Sequence, residues 1–136
     1  MNTGECLCGS IKYKIGHPIR DGRCCHCSKC RKAFSGAGSA VTFLEDGEFA
    51  WVQGESGVTS YLINDQGAGL GFCKKCGSTL VMYFGGKVVG VTLGTLNNNP
   101  EAKIGEHIYV GSKATWDHIG GDAPQYEQGP NRTPSD

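Results

Sequence analysis

The chain has 136 residues, with 22 glycines, eight cysteines and a formal net charge of zero. Balanced charge without basic blocks argues against a nucleic-acid-binding protein, and no apolar run is long enough to cross a membrane. Leu, Ile, Val and Phe supply only 27 residues, close to the ~20% below which chains struggle to build a packed core.

The first ten residues lack the basic and apolar regions of a secretory signal. We therefore expect a cytoplasmic protein whose thiols stay reduced, so that metal ligation is favoured over a disulfide framework. The length predicts one domain over residues 1–130, followed by a C-terminal tail at residues 131–136.

Apolar and polar residues alternate in several short segments, as in half-buried strands. Ile11, Tyr13 and Ile15 alternate with lysines, and Gly85-Gly86 joins two β-prone runs in a hairpin. The predicted strands are 11–15, 40–44, 48–52, 60–63, 79–84, 87–93 and 107–110. The glycine-rich segment 67–71 is expected to be a flexible connection. Because no long segment has a helical apolar period, we predict a mainly β fold of short antiparallel strands with little helix.

Two cysteine pairs have spacings that suit one metal ion. Cys73 and Cys76 form a Cys-Lys-Lys-Cys-Gly sequence, in which a tight turn directs two thiolates at the same ion. Cys6 and Cys8 face the same side of an extended segment. We expect the two pairs to complete a structural zinc site, which contributes on the order of 10 kcal/mol to folding. The alternative for Cys73 and Cys76 is a redox dithiol.

A third cluster spans residues 24–30, Cys-Cys-His-Cys-Ser-Lys-Cys. In an extended chain Cys25 and Cys27 share one face and Cys30 returns from a turn, whereas Cys24 and His26 point the other way. Three thiolates leave zinc one ligand short, as in catalytic sites. The alternative is a site closed by Cys24, His107 or another side chain.

Several residues near this cluster are expected to have structural roles rather than to bind metal or take part in the chemistry. His26 is expected to be a hydrogen-bonded or solvent-facing side chain, and His107 a packed strand histidine. Tyr109 and Trp116 are expected in the core or in a pocket wall.

Five motifs occur in a family-specific order: CLCG at 6–9, CHCSKCR at 25–31, FCKKCG at 72–77, GTL at 94–96 and HIYVGSKATW at 107–116. In this order they resemble the glutathione-dependent formaldehyde-activating enzymes and their centromere-protein relatives. The resemblance implies a β-tent-like zinc fold, with one structural zinc on Cys6, Cys8, Cys73 and Cys76 and a second, catalytic zinc on Cys25, Cys27 and Cys30. It also implies that residues 124–130 pack against the domain.

The activity implied by the resemblance is condensation of glutathione with formaldehyde to S-(hydroxymethyl)glutathione, a carbon-sulfur lyase reaction. Arg23, Lys29 and Arg31 lie beside the third cluster, where they could bind the carboxylates of a small thiol such as glutathione. The same cations could instead offset thiolate charge or form a solvated surface. The alternative function is a non-catalytic zinc module that binds a protein partner.

Overall fold

The computed structural model of the chain describes residues 2–98 and 101–130. This part of the chain contains ten strands and one α-helix, so the prediction of a mainly β fold with little helix is confirmed. None of its helices is long and apolar enough to cross a membrane. In chain order the elements are β1 (Asn2–Glu5), β2 (Lys12–Ile15), β3 (Gly22–Cys25), α1 (Ser28–Phe34), β4 (Ser39–Phe43), β5 (Phe49–Gln53), β6 (Val58–Leu62), β7 (Ala68–Cys73), β8 (Thr79–Phe84), β9 (Lys87–Thr92) and β10 (Ile104–Ile108).

The chain divides into two compact units, the first formed by Met1–Arg20 and Val41–Ala102 and the second by Asp21–Ala40 and Lys103–Asp136. A single domain over residues 1–130 stays a prediction. The C-terminal tail at 131–136 lies outside the described residues.

The first unit contains two groups of paired strands. One is the antiparallel sheet β1-β2-β5, and the other is the strand series β4-β9-β8-β7-β6, also antiparallel. Gly85 and Gly86 join β8 to β9 with φ angles of 59° and 81°, which a two-residue type I′ hairpin turn requires. The hairpin therefore forms where the sequence predicts it.

The core of the first unit is small and combines both groups of strands. Tyr13 and Ile15 of β2 are fully buried, as are Leu80 and Val81 of β8. The Tyr13 hydroxyl pairs with Thr95 Oγ1 at 2.8 Å, which satisfies its buried polar group. Each such aliphatic side chain contributes about 1.5–3 kcal/mol to stability through burial. Cys6 and Cys73 belong to the same buried cluster. Two cysteines of the expected structural zinc site therefore lie against the core.

The second unit is built on the parallel pair β3 and β10, with His107 opposite Cys24 and Ile108 opposite Cys25. This pair departs from the predicted all-antiparallel arrangement. The segment after β10 returns alongside it, where the Tyr126 amide donates to the His107 carbonyl at 2.9 Å and the Val110 amide to the Tyr126 carbonyl at 3.0 Å. The expected packing of residues 124–130 is therefore confirmed.

Two local expectations are wrong. Segment 67–71 is not a flexible connection, because most of it lies in β7, paired on both sides. Its glycines allow close approach: a Cβ on Gly71 would lie 2.7 Å from a Val81 methyl carbon. The last strand ends at Ile108 rather than at Val110, since Tyr109 adopts a left-handed conformation with φ of 56°.

Candidate metal sites

The first candidate site brings together Cys6, Cys8, Cys73 and Cys76, whose sulfur atoms all lie within 4.8 Å of one another. Cys6 follows β1 and Cys73 ends β7, so each pair begins where a strand gives way to a turn. The turns are closed by backbone bonds from Gly9 to Cys6 (3.0 Å) and from Gly77 to Cys73 (2.8 Å).

The sulfur–sulfur distances at Cys8 suit a tetrahedral metal ion such as zinc. With Zn–S bonds of about 2.3 Å, the sulfurs of a tetrahedral site lie about 3.8 Å apart. Cys8 Sγ lies 3.6 Å from Cys6 Sγ and 3.8 Å from Cys73 Sγ. Backbone amides point at the same atoms, Ile11 N at Cys6 Sγ and Lys75 N at Cys73 Sγ, both at 3.4 Å. Such donors stabilise thiolates.

Two serines contact this cluster, and sequence reasoning missed both. Cys8-Gly9-Ser10 and Cys76-Gly77-Ser78 are identical tripeptides, each with its glycine at φ 78°. Ser10 Oγ lies 3.0 Å from Cys8 Sγ, and Ser78 Oγ lies 3.3 Å from Cys76 Sγ. The hydrogen bonds from Ser78 lower the pKa of Cys76 to about 5, which prepares the thiolate for metal. The repeated tripeptide is the signal that could have identified them.

The second candidate site is formed by Cys25, Cys27 and Cys30, whose sulfur atoms also lie within 4.8 Å. Cys25 ends β3, Cys27 caps the N-terminus of α1, and Cys30 lies in its first turn. The Cys30 amide donates to Cys27 Sγ at 3.4 Å, in the manner of an N-cap. No fourth His, Cys, Asp or Glu of residues 2–98 and 101–130 joins this group.

Unequal proton affinities mark the sulfurs of this second cluster. The Cys25 thiol donates to Cys30, which raises the pKa of Cys25 and lowers that of Cys30. Ser39 also lowers the pKa of Cys30. Cys30 therefore loses its proton more readily than an ordinary cysteine, and the thiolate is the form in which cysteine binds metal.

The backbone around Cys25 is tightly enclosed. The Cys25 amide donates to Ser39 Oγ at 3.3 Å, and the backbone of Gly38 approaches so closely that a Cβ there would lie 2.4 Å from the Cys25 carbonyl oxygen. The His26 amide donates to the Ile108 carbonyl at 3.0 Å. These contacts fix the end of β3 before the chain enters α1.

The residues near the second cluster differ in burial and in their contacts. His26 is buried and bonded to His107, which confirms the expected hydrogen-bonded role. Cys24 lies outside the group of three, and burial raises the pKa of its thiol. Tyr109 and Trp116 are 39% and 71% exposed, so the expectation of core positions is wrong for both, and a place in a pocket wall stays a prediction.

The cations expected to bind substrate differ in their surroundings. Arg23 Nε donates to Glu106 at 2.7 Å, which offsets its charge. Lys29 is exposed. Arg31, immediately after Cys30, has a buried Nε that lacks a hydrogen-bond partner.

Comparisons with known proteins agree with this arrangement. A family model described as "Glutathione-dependent formaldehyde-activating enzyme" matches residues 1–112, which include both cysteine clusters. The chain is also similar to a Rhodobacter sphaeroides protein of known crystal structure, with 27% identity and a TM-score of 0.57, over 75% of this chain and 98% of that one. No curated protein matches.

Proposed function

Because the chain belongs to the glutathione-dependent formaldehyde-activating enzyme family, we propose that it is a zinc-dependent carbon-sulfur lyase acting on a small thiol adduct. The proposed reaction is condensation of glutathione with formaldehyde to S-(hydroxymethyl)glutathione, and its reversal. The observation that carries the proposal is the convergence of three thiols without a fourth protein ligand in the described part of the chain. Three protein ligands are typical of catalytic zinc sites.

The two clusters have different proposed roles. Cys6, Cys8, Cys73 and Cys76 would hold a structural zinc ion, because four protein sulfurs complete its coordination. Cys25, Cys27 and Cys30 would hold the catalytic ion, which would supply a lowered pKa to a thiol bound beside them. Three thiolates outweigh the charge of one divalent ion, and this favours a thiol substrate over water. A cytoplasmic location, where thiols stay reduced, belongs to the proposal.

The charged residues beside the second cluster support a substrate with carboxylates. The Arg31 Nε–H is buried without an acceptor, so the guanidinium's charge is available to pair with a substrate carboxylate. Lys29 adds an exposed positive charge on the other side of Cys30 in sequence. Arg23 is the third proposed contact with a substrate carboxylate, although its ion pair with Glu106 offsets part of its charge. Glutathione carries two carboxylates.

The proposed reaction balances without an external oxidant or reductant. The substrate sulfur forms a bond to the aldehyde carbon, the carbonyl π bond breaks, and the thiol proton ends on the new hydroxyl oxygen. In the reverse direction the hydroxyl loses its proton, the carbon-sulfur bond breaks, and thiol and aldehyde separate.

Exchange spectroscopy on zinc-loaded protein tests this proposal. Wild-type protein is expected to accelerate exchange between ¹³C-labelled formaldehyde and S-(hydroxymethyl)glutathione, and Cys27→Ser is expected to lose most of the acceleration. Cys24→Ser is the matched control, because Cys24 lies beside the cluster but outside it. Wild-type protein without any acceleration would exclude glutathione and formaldehyde as substrates. Full activity in Cys27→Ser would exclude the three-thiol site.

The role of Arg31 in substrate binding can be tested separately. Arg31→Gln is expected to raise KM for glutathione but not for 2-mercaptoethanol, which has no carboxylate. Lys32→Gln, on the same helix, is the control. Equal effects of both variants on both thiols would contradict carboxylate binding at Arg31.

A second candidate function is a non-catalytic zinc module that binds a protein partner. The observation in its favour is the exposure of large apolar side chains in the first unit, where Tyr61 and Leu62 of β6 and Phe84 of β8 are 66%, 61% and 55% exposed. Cobalt substitution distinguishes the two candidates. Added thiol should change the visible spectrum of an accessible three-sulfur site, whereas an unchanged spectrum favours the binding module.

A further inference from the structure

Two histidines form a buried pair beside the three-cysteine site. His26 and His107 are 5% and 8% exposed, and their rings lie 5.1 Å apart between centroids. His26 Nε2 and His107 Nδ1 are separated by 2.9 Å, a normal hydrogen-bond distance. Neither ring belongs to a group of candidate metal ligands. The proposed reaction leaves both rings without a role.

His26 lies between two of the proposed ligands in sequence. Cys25 and Cys27 flank it, and neighbouring side chains of an extended chain point to opposite sides. A constraint on the His26 ring therefore also constrains the backbone from which both thiols project. The loop has no other buried side chain between β3 and α1.

His107 is itself anchored by the segment that follows β10. Its amide donates to the Pro124 carbonyl at 2.8 Å, and its carbonyl accepts from the Tyr126 amide at 2.9 Å. Pro124 and Tyr126 lie beyond residues 1–112, the part of the chain that the family model matches. A continuous series of hydrogen bonds thus connects the C-terminal segment, His107 and His26.

The surroundings of His26 select one arrangement of protons in this pair. His26 Nδ1 is buried without a hydrogen-bond partner, and Asp117 Oδ2 lies 3.9 Å from it. A nearby carboxylate favours the proton on Nδ1, which leaves His26 Nε2 as an acceptor. His107 Nδ1 must then be the donor of the 2.9 Å bond.

We propose that His107 is a positioning residue that, by donating from Nδ1 to His26 Nε2, holds the loop of Cys25 and Cys27 in its metal-binding geometry. This inference rests on the proposed metal role of the three cysteines. It extends the functional unit to the C-terminal segment, because that segment fixes His107. Removing a group that hydrogen-bonds directly to a metal ligand typically changes metal affinity roughly 10–100-fold, and this range sets the scale for His107, which acts through His26.

Cadmium titration followed by ¹¹³Cd NMR tests the proposal, because three-sulfur and four-sulfur sites give separate signals. His107→Leu removes the donor and retains apolar volume, whereas His107→Asn keeps an N–H close to the position of Nδ1. We expect His107→Leu to weaken binding at the three-cysteine site by roughly 10–100-fold, with binding at the four-cysteine site unchanged. His107→Asn should restore most of the affinity. Unchanged affinity in His107→Leu, or equal losses at both sites, would overturn the proposal.

A second measurement uses the unaltered protein and does not depend on metal binding. Nitrogen-15 spectra of labelled histidine are expected to show the proton on Nδ1 in both His26 and His107. A proton on Nε2 of His26 would overturn the proposal even if His107→Leu failed to fold. If wild-type protein bound no cadmium at the three cysteines, the proposed function would fail. The positioning role would still be tested in that case. Protons on Nδ1 of both histidines and faster amide exchange at residues 25–27 in His107→Leu than in His107→Asn would support it, and equal exchange rates in the two variants would overturn it.

Discussion

Gly38→Ala should disturb the three-cysteine site without touching a sulfur atom. A Cβ at position 38 would stand 2.4 Å from the Cys25 carbonyl oxygen, whereas real Cβ contacts are not shorter than 3.0 Å, so the two must separate by about 0.6 Å. Metal sites tolerate deviations of only about 0.2 Å in ligand distances. Overpacking of this kind costs about 1–3 kcal/mol, which corresponds to roughly tenfold to hundredfold weaker metal binding.

Gly36→Ala is the matched control for this variant. A Cβ at position 36 would meet only the Phe34 carbonyl oxygen at 3.9 Å, an ordinary contact, and neither glycine has a positive φ. Cadmium or cobalt titration should show weaker binding at the three-cysteine site in Gly38→Ala alone, with the four-cysteine site unaffected. Equal affinities in Gly38→Ala and Gly36→Ala would refute the argument that backbone contact with Cys25 fixes the site.

Three further predictions concern the first unit. Ser78→Ala should raise the pKa of Cys76 and weaken zinc binding at the four-cysteine site, measured by chelator competition, whereas Ser60→Ala on exposed β6 should leave it unchanged. The hydrogen bond from Arg20 lowers the pKa of Glu48 from 4.5 to about 2, so the stabilisation by Glu48 is complete above its unfolded-state pKa and is lost as pH falls towards 2. The difference in unfolding temperature between wild type and Glu48→Gln should therefore shrink from pH 6 to about pH 2, and a difference that stays constant would contradict this sign. Leu80→Ala, at a fully buried position, should lower the free energy of unfolding by about 2–5 kcal/mol in urea titration, against little change for Leu62→Ala at 61% exposure; similar losses would place the core elsewhere.

Local signals were sufficient for the hairpin and for the grouping of cysteines within each short motif. The Gly85-Gly86 pair supplies two positive φ angles, which only one class of tight hairpin needs, so β8 has the predicted bounds. Cysteine spacing likewise depends on turns of a few residues. The three-sulfur group and each pair of the four-sulfur group could therefore be predicted from spacing alone, whereas the convergence of the two distant pairs was predicted from the four ligands that a structural zinc ion needs.

Features that depend on pairing between segments far apart in the chain could not be predicted from the sequence. Strand β3 finds its parallel partner β10 about 80 residues later in the chain, and the His26–His107 bond follows from that register. Strand β7 was not predicted because glycines usually mark turns. Here the glycine at position 71 is needed because a Cβ would collide with the side chain of Val81. Helix α1 was missed because it has only seven residues and is capped by Cys27 rather than by a usual capping residue.

The two cysteine clusters differ in when a growing polypeptide can assemble them. The ligands of the second cluster lie within six consecutive residues, so its three thiols leave the ribosome almost together, whereas His107, which holds their loop, follows about 80 residues later. The first cluster needs Cys76 as well as Cys6, and it must wait until more than half of the chain has been synthesised. During translation, the three thiols of the second cluster are therefore exposed to cellular metal before the four of the first cluster can converge, and before the His26–His107 bond can form.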